Sequence, residues 1–283
     1  MSFLSLLSFL RFLIILAALA ILLWIVSLHP ARSHPGLEKL RGYLYAHRGY
    51  HDKPAIPENS LAAFRRAAER GFGVELDVHL TKDGRLAVIH DASLQRTCGA
   101  EGIVEDLTAE ELSAFRLEGT DERIPFLEEV LPLFEGIAPL IVELKPLRGN
   151  HALLAKTAME CLDRFHTDYC VESFDPRCVY WLKKNRPEVI RGQLSENFLK
   201  RKGSLSLFNR FAMTHLLFHF GCKPDFVAYA YEDRRMPANR IATRLWGAQA
   251  VSWTIRSRQD MLQAKSEGAL VIFEQFDPEE AGL

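Results

Sequence analysis

From residue 43 onward, short runs of β-branched or apolar residues alternate with helix-like stretches, and this rhythm constrains the chain more than any other feature. Such alternation is the signature of βα units wound around a parallel sheet. The strand-like runs fall at residues 43–47, 74–79, 140–144, 170–174, 190–194, 226–229, 250–254 and 270–274. A ninth run, 86–90, follows Thr81-Lys82-Asp83-Gly84. An Asp-Gly pair between alternating runs signals a tight hairpin, so this strand is expected to double back. Eight βα units over residues 42–283 match the ~250 residues usual for a (β/α)8 TIM barrel. The expectation is an α/β fold: one TIM barrel with an extra β-hairpin strand.

Residues 1–41 read differently and are expected to form a transmembrane anchor and linker. Residues 12–28 (FLIILAALAILLWIVSL) carry no charge, and the apolar run reaches back past Arg11 toward Phe3. That is long enough to cross a bilayer. A buried helix of a soluble domain would show a polar stripe, and none is present. A cleaved leader would have a shorter apolar core and a small-residue site, whereas here Trp24 and then His29-Pro30-Ala31-Arg32 follow. Arg32, Lys39 and Arg41, opposed by Glu38, lie after the span, and Arg11 with the terminal amine before it. The excess leans toward a single-pass cell-membrane protein with a cytoplasmic catalytic domain. Arg11 can snorkel to the interface, which leaves the opposite orientation open. A second membrane contact is suggested at 198–221, where Lys200, Arg201, Lys202 and Arg210 accompany Leu205, Leu207, Phe208, Phe211, Leu216, Leu217, Phe218 and Phe220. Basic amphipathic segments can lie on lipid; an ordinary barrel helix is the alternative.

Charge excludes one class of partner. Thirty-five basic against thirty-six acidic residues leave no excess for gripping nucleic-acid phosphates. Five scattered cysteines without a CxxC pair fit a reducing compartment and offer no zinc or redox motif.

The chemistry begins in Val74-Glu75-Leu76-Asp77-Val78. Strict alternation sends both carboxylates to one face and the apolar residues to the other. With the apolar face against helices, Glu75 and Asp77 point into the barrel. Val142-Glu143-Leu144-Lys145 repeats the device. Buried like charges repel, and a cation is their natural compensation, so Glu75, Asp77 and Glu143 suit one hard divalent ion. A layer of salt bridges, such as Lys145 with Glu75, is the structural alternative. His47, ending the first run, and His90, ending the hairpin run, emerge near the loops where barrel active sites form. Arg48 offers a fork for phosphate oxygens.

In order and spacing, His47-Arg48-Gly49, Pro57-Glu58-Asn59-Ser60, Glu75-x-Asp77, Asp83-Gly84, His90-Asp91, Glu143-x-Lys145, Ser173-Phe174 and Trp253-Thr254 resemble the glycerophosphodiester phosphodiesterases. The similarity spans residues 43 to 276. It implies metal-dependent hydrolysis of a glycerophosphodiester to sn-glycerol 3-phosphate and an alcohol, in glycerophospholipid metabolism. Glu75, Asp77 and Glu143 take the family's metal-ligand positions, for Ca2+ or Mg2+; Glu58 and its neighbour Asn59 stand close by as further ligand, water holder or support. His47 and His90 take the acid–base positions. One would remove the proton from the attacking glycerol hydroxyl, the other would protonate the leaving alcohol, and water would then open the cyclic phosphate. Arg48 and Lys145 would neutralise the phosphoryl oxygens, and Trp253 would wall the glycerol.

The last run departs from the family's Thr-Asp or Thr-Asn ending. Ile272-Phe273-Glu274 stands there, so Glu274 inherits no role; orienting Lys145 or Arg48, touching glycerol, or a structural salt bridge are its options. Glu172 is expected on the inward face with Phe174. His51, His79, His151, His166, His215 and His219 match no motif and are assigned surface or packing roles. Two rivals remain: lysophospholipase D action on membrane lysophospholipids, and a non-catalytic anchored binding protein. The complete set of site positions speaks against the second.

Overall fold

The second strand, β2 (Gly73–Leu80), sorts its residues as its alternation requires. Val74, Leu76 and Val78 pack outward with Phe64 and Ala67 of the preceding helix, while Glu75 and Asp77 are buried on the other face. The computed structural model describes residues 3–31, 34–201 and 205–279; Arg32 and Lys202 lie outside them. Its strands are β1 Leu44–His47, β2 Gly73–Leu80, β3 Leu86–Val88, β4 Leu140–Leu144, β5 Tyr169–Ser173, β6 Arg191–Ser195, β7 Phe226–Ala230, β8 Gln249–Ile255 and β9 Leu270–Phe273. All except β3 are parallel neighbours in a ring, because β1 pairs with both β2 and β9. β3 runs antiparallel on β2, with Val78 opposite Val88. This is the expected barrel with its extra hairpin strand.

The longer helices are α1 Phe3–Ser27, α2 Leu61–Glu69, α3 His151–Leu162, α4 Pro176–Asn185, α5 Leu207–Thr214 and α6 Arg258–Ser266. Helix α2 starts where the Ser60 hydroxyl accepts from the Ala63 N–H, satisfying one of the orphan donors of its first turn.

Inside the ring, Tyr45, Ile141, Cys170, Ile190, Phe226 and Ile272 form an apolar plug. Leu37 and Leu40, from the turn preceding β1, join it and cap the end at which the strands begin. The plug admits the Phe226 ring only because residue 192 lacks a side chain: a Cβ there would lie 2.0 Å from that ring. Gly192→Ala is therefore expected to cost about 1–3 kcal/mol, seen as a fall of several degrees in Tm. An unchanged Tm would mean the plug repacks freely.

Helix α1 contains an apolar stretch, Ser5–Ser27, long enough to cross a membrane and not buried in the protein. Its last turn docks on the barrel. The Trp24 indole donates to the His215 carbonyl at 3.0 Å, Trp246 donates to the Ile25 carbonyl at 2.7 Å, and Leu28 is fully buried with Leu216, Val227 and Tyr229. Within 198–221 the chain forms α5 and then a short turn of helix, His219–Cys222, rather than one long barrel helix.

Candidate active site

Register places the acids side by side. Asp77 stands opposite Glu143, and Glu143 opposite Glu172, so inward positions of β2, β4 and β5 share one level of the barrel. Glu75, Asp77 and Glu143 each bring an oxygen within 4.8 Å of the others, all buried. Lys145 Nζ lies 2.8 Å from Glu143 and 3.1 Å from Asp77, so the lysine pairs with these two rather than with Glu75. One ammonium cannot balance three acids. Burial, with repulsion from Asp77 and Glu143, pushes Glu75 well above the carboxylate range. Burial likewise lifts Glu143 to about 7 against the pull of Lys145. Asp77 goes the other way: its burial is outweighed by Lys145, His90 and Arg48, which hold it ionised. Glu143 Oε1 is buried without a hydrogen bond, and Asp77 Oδ1 has only the ion pair with Lys145. Such orphaned oxygens, on a carboxylate-only donor set, fit a hard cation.

The two histidines flank this cluster. His47 ends β1 and donates from Nδ1 to Glu274 Oε2 at 2.5 Å, leaving Nε2 3.8 Å from Glu75. Glu274 also takes Arg256, at 2.6 Å, and these partners hold its pKa down at about 2 against burial. Of the options open for Glu274, the ion pair is the one the structure shows; it meets neither Lys145 nor Arg48. The reason is topological. β9 pairs with β1 through Phe273 and Ala46, which sets residue 274 beside residue 47. His90 donates from Nδ1 to Asp91 at 2.5 Å, and Asp91 is clamped by Arg96 at 2.5 Å. Burial, with Lys145 and Arg48 nearby, pulls His90 down to about 4 despite Asp77; burial also lowers His47. Each imidazole is thus fixed at Nδ1 against a carboxylate, which leaves Nε2 to take up or give up a proton, the arrangement acid–base work needs.

The supporting residues sort themselves by contact. Arg48 NH1 lies 2.8 Å from Glu58, and its Nε lies 3.6 Å from Asp77. Glu58 is drawn to three cations, Arg48, Lys53 and Arg96. These overcome burial and keep it ionised far below the usual range, so its oxygens are spent on cations and it does not join the acid triad. Asn59 donates to Asp77 Oδ2 at 2.9 Å and, through its backbone N–H, to the Arg48 carbonyl. Both Arg48 (φ 55°) and Asn59 (φ 53°) are left-handed, uncommon for an arginine and of the kind that clusters at functional sites. Glu172 is buried beside Glu143, with Oε2 unpartnered, and desolvation drives it well above the ordinary range. Trp253 meets Phe174 edge-on at 5.6 Å, and Phe174 meets Phe198 at 5.9 Å. Lys145 Nζ stands 5.9 Å from the Phe174 ring centre, so this aromatic wall borders the charged cluster.

Sequence reasoning missed His79. It is buried, not a surface group; its Nδ1 lies 2.6 Å from Glu105 and its Nε2 lies 3.1 Å from the His90 carbonyl. Both partners accept, so the ring ties Glu105 to the loop carrying His90. The signal was available: residue 79 continues the 75, 77 alternation. Asp91 was also passed over, although it stands next to His90.

Barrel, acids, imidazoles and cations together define a TIM-barrel enzyme with its active-site groups gathered at the strand C-termini. The glycerophosphoryl diester phosphodiesterase family model matches residues 47–268. The chain belongs to that family and is a phosphoric diester hydrolase. A glycerophosphodiester phosphodiesterase of Caldanaerobacter subterraneus is 32% identical over 234 residues, covering 78% of this chain and 89% of that protein. The crystal structure of a glycerophosphodiester phosphodiesterase from Thermotoga maritima superposes with a TM-score of 0.62 at 26% identity, over 81% of this chain and 93% of that one. In fold the chain also matches an Oleispira antarctica phosphodiesterase in complex with its product sn-glycerol-3-phosphate, at a TM-score of 0.69 and 24% identity, over 84% and 94% of the two chains.

Proposed function

We propose that this protein hydrolyses glycerophosphodiesters to sn-glycerol 3-phosphate and an alcohol, with His47 and His90 as the proton-transfer pair. The observation that carries the reading is the convergence of Glu75, Asp77 and Glu143 within 4.8 Å of one another, with two carboxylate-fixed imidazoles beside them. The triad would hold one Ca2+ or Mg2+, which when bound supplies Lewis-acid stabilisation of charge on the phosphoryl oxygens. Lys145 and Arg48 add fixed positive charge at the same place. One imidazole Nε2 removes the proton from the attacking glycerol hydroxyl; the other enters the cycle protonated at Nε2 and gives that proton to the leaving oxygen. Phosphorus then passes to a cyclic glycerol phosphate, which water opens with the two roles reversed. The Phe174–Trp253 wall shields the glycerol side from water. His79 and Asn59 position the His90 loop and Asp77.

Residues 1–41 serve in this reading as a single-pass anchor and linker to the catalytic domain at 42–283, placed on the cytoplasmic side by the basic residues after the span. A second substrate reading has one observation in its favour: the aromatic wall runs through Phe198 into the apolar 198–221 segment, which an acyl chain could follow. Purified protein is expected to release choline from glycerophosphocholine faster than from lysophosphatidylcholine. No turnover of the acylated lipid removes the lysophospholipase D reading; no turnover of any glycerophosphodiester, with either ion, removes the main one.

A further inference from the structure

Leu207, Phe208 and Phe220 expose 74%, 69% and 69% of their surface, and Phe211 of the same segment is 47% exposed. Single exposed apolar residues are ordinary, but a contiguous group marks an interaction surface. Phe208 and Phe220 also rim an apolar cavity of about 780 Å3, with Tyr180 and Trp181 of α4 on its far side. Their rings therefore stand over open space and not over a packed core.

The neighbour of this face indicates what covers it. The Phe211 ring lies 4.4 Å from the His215 imidazole, and His215 lies 6.0 Å from the Trp24 ring while its carbonyl takes the Trp24 indole N–H. Trp24 sits at the end of the apolar helix α1, where tryptophan anchors of membrane spans lie at headgroup depth. A segment stacked on that residue is held at the same depth.

The segment's cations argue for an apolar occupant. Lys200 pairs with Asp233 at 2.7 Å, Arg201 with Glu196 at 2.6 Å, and Arg210 donates to the Phe198 and Leu199 carbonyls at 2.9 and 3.0 Å. Lys200 and Arg201 stay solvent-exposed, but each is paired with an acid of this chain, so the described cations of the segment carry little free charge. An acidic partner would need them free; hydrocarbon does not.

We propose that Leu207, Phe208, Phe211 and Phe220 insert into the interface of the bilayer that α1 crosses, independently of lipid charge, and so fix the tilt of the barrel on the membrane. This rests on the reading of α1 as a membrane span, and the test separates the two. The full chain, with Cys98→Ser, is reconstituted in phosphatidylcholine nanodiscs carrying spin-labelled lipid, with one environment-sensitive dye on Ile14→Cys, Phe208→Cys, Phe220→Cys or, as a water-facing control, Leu262→Cys. Thermal unfolding checks that each variant is folded. The expected result is lipid quenching at positions 14, 208 and 220 but not 262, changed less than twofold by adding phosphatidylserine. Quenching at 14 alone overturns the insertion and leaves the span standing. Quenching at none of the positions overturns both. Protection of 208 and 220 from lipid and aqueous quenchers alike means a second copy or another protein covers the face. Quenching there only with phosphatidylserine means charge drives the contact. Either result overturns the proposal.

Discussion

Alanine at His47 or at His90 is expected to lower kcat on a glycerophosphodiester by about 10²–10⁴-fold and to move Tm by no more than a few degrees. The loss is chemical because each ring presents Nε2 as a free base or acid beside the acids, with Nδ1 fixed by Glu274 or Asp91. The stability effect is small because neither truncation orphans a buried charge: Glu274 keeps Arg256, and Asp91 keeps Arg96. Glu274→Gln should sit between wild type and His47→Ala, since the amide can still touch the ring but no longer favours the Nδ1–H tautomer. Steady-state kinetics with thermal unfolding reads all three. Turnover at the wild-type rate in either alanine variant would show that the proton transfers lie elsewhere.

Removing divalent ions is expected to cost several kcal/mol of transition-state stabilisation, on the order of 10³-fold in rate, with Ca2+ or Mg2+ restoring it. A second readout needs no turnover. An ion bound only by the folded state raises stability, by about 2.7 kcal/mol at a hundredfold excess over Kd, so Tm should climb with ion concentration and Asp77→Asn should blunt the climb. The pH dependence has a definite sign. Without an ion, Glu143 holds its proton up to about 7, and burial beside Asp77 and Glu143 raises Glu75 as well. Binding must displace those protons, so ion affinity should strengthen as pH rises through 7. A Tm indifferent to both ions and to chelator would remove the metal from the triad.

The barrel was legible because its signal is local. Each strand needed only a few residues of alternation or apolar run, and the Asp83-Gly84 turn declared the hairpin. Glu75, Asp77 and Glu143 were legible for the same reason, since a strand's period of two assigns faces without any knowledge of neighbours. Glu274 as the partner of His47 was not, because that contact depends on which strand β1 meets when the ring closes. The capture of Glu58 by Arg48, Lys53 and Arg96 was hidden likewise; Arg48 and Lys53 share its own connection after β1, but how that connection folds back, and the approach of Arg96 from beyond β3, are not written in the local pattern. His79 shows a different failure: its face was readable, but its partners, Glu105 and the carbonyl of His90, lie on loops whose paths the sequence does not announce. The cations of 198–221 were legible as charges, but the pairing of Lys200 with Asp233 and of Arg201 with Glu196 was not, because sequence does not show which acids a charge meets.

His47 and Glu274 are 227 residues apart and become neighbours only when the first stave of the barrel meets the last. During synthesis the early imidazole therefore waits, without this partner, until the last stave has left the ribosome. A chain that stalls before that final stave carries most of these acidic and basic groups but lacks the carboxylate that orients its first imidazole.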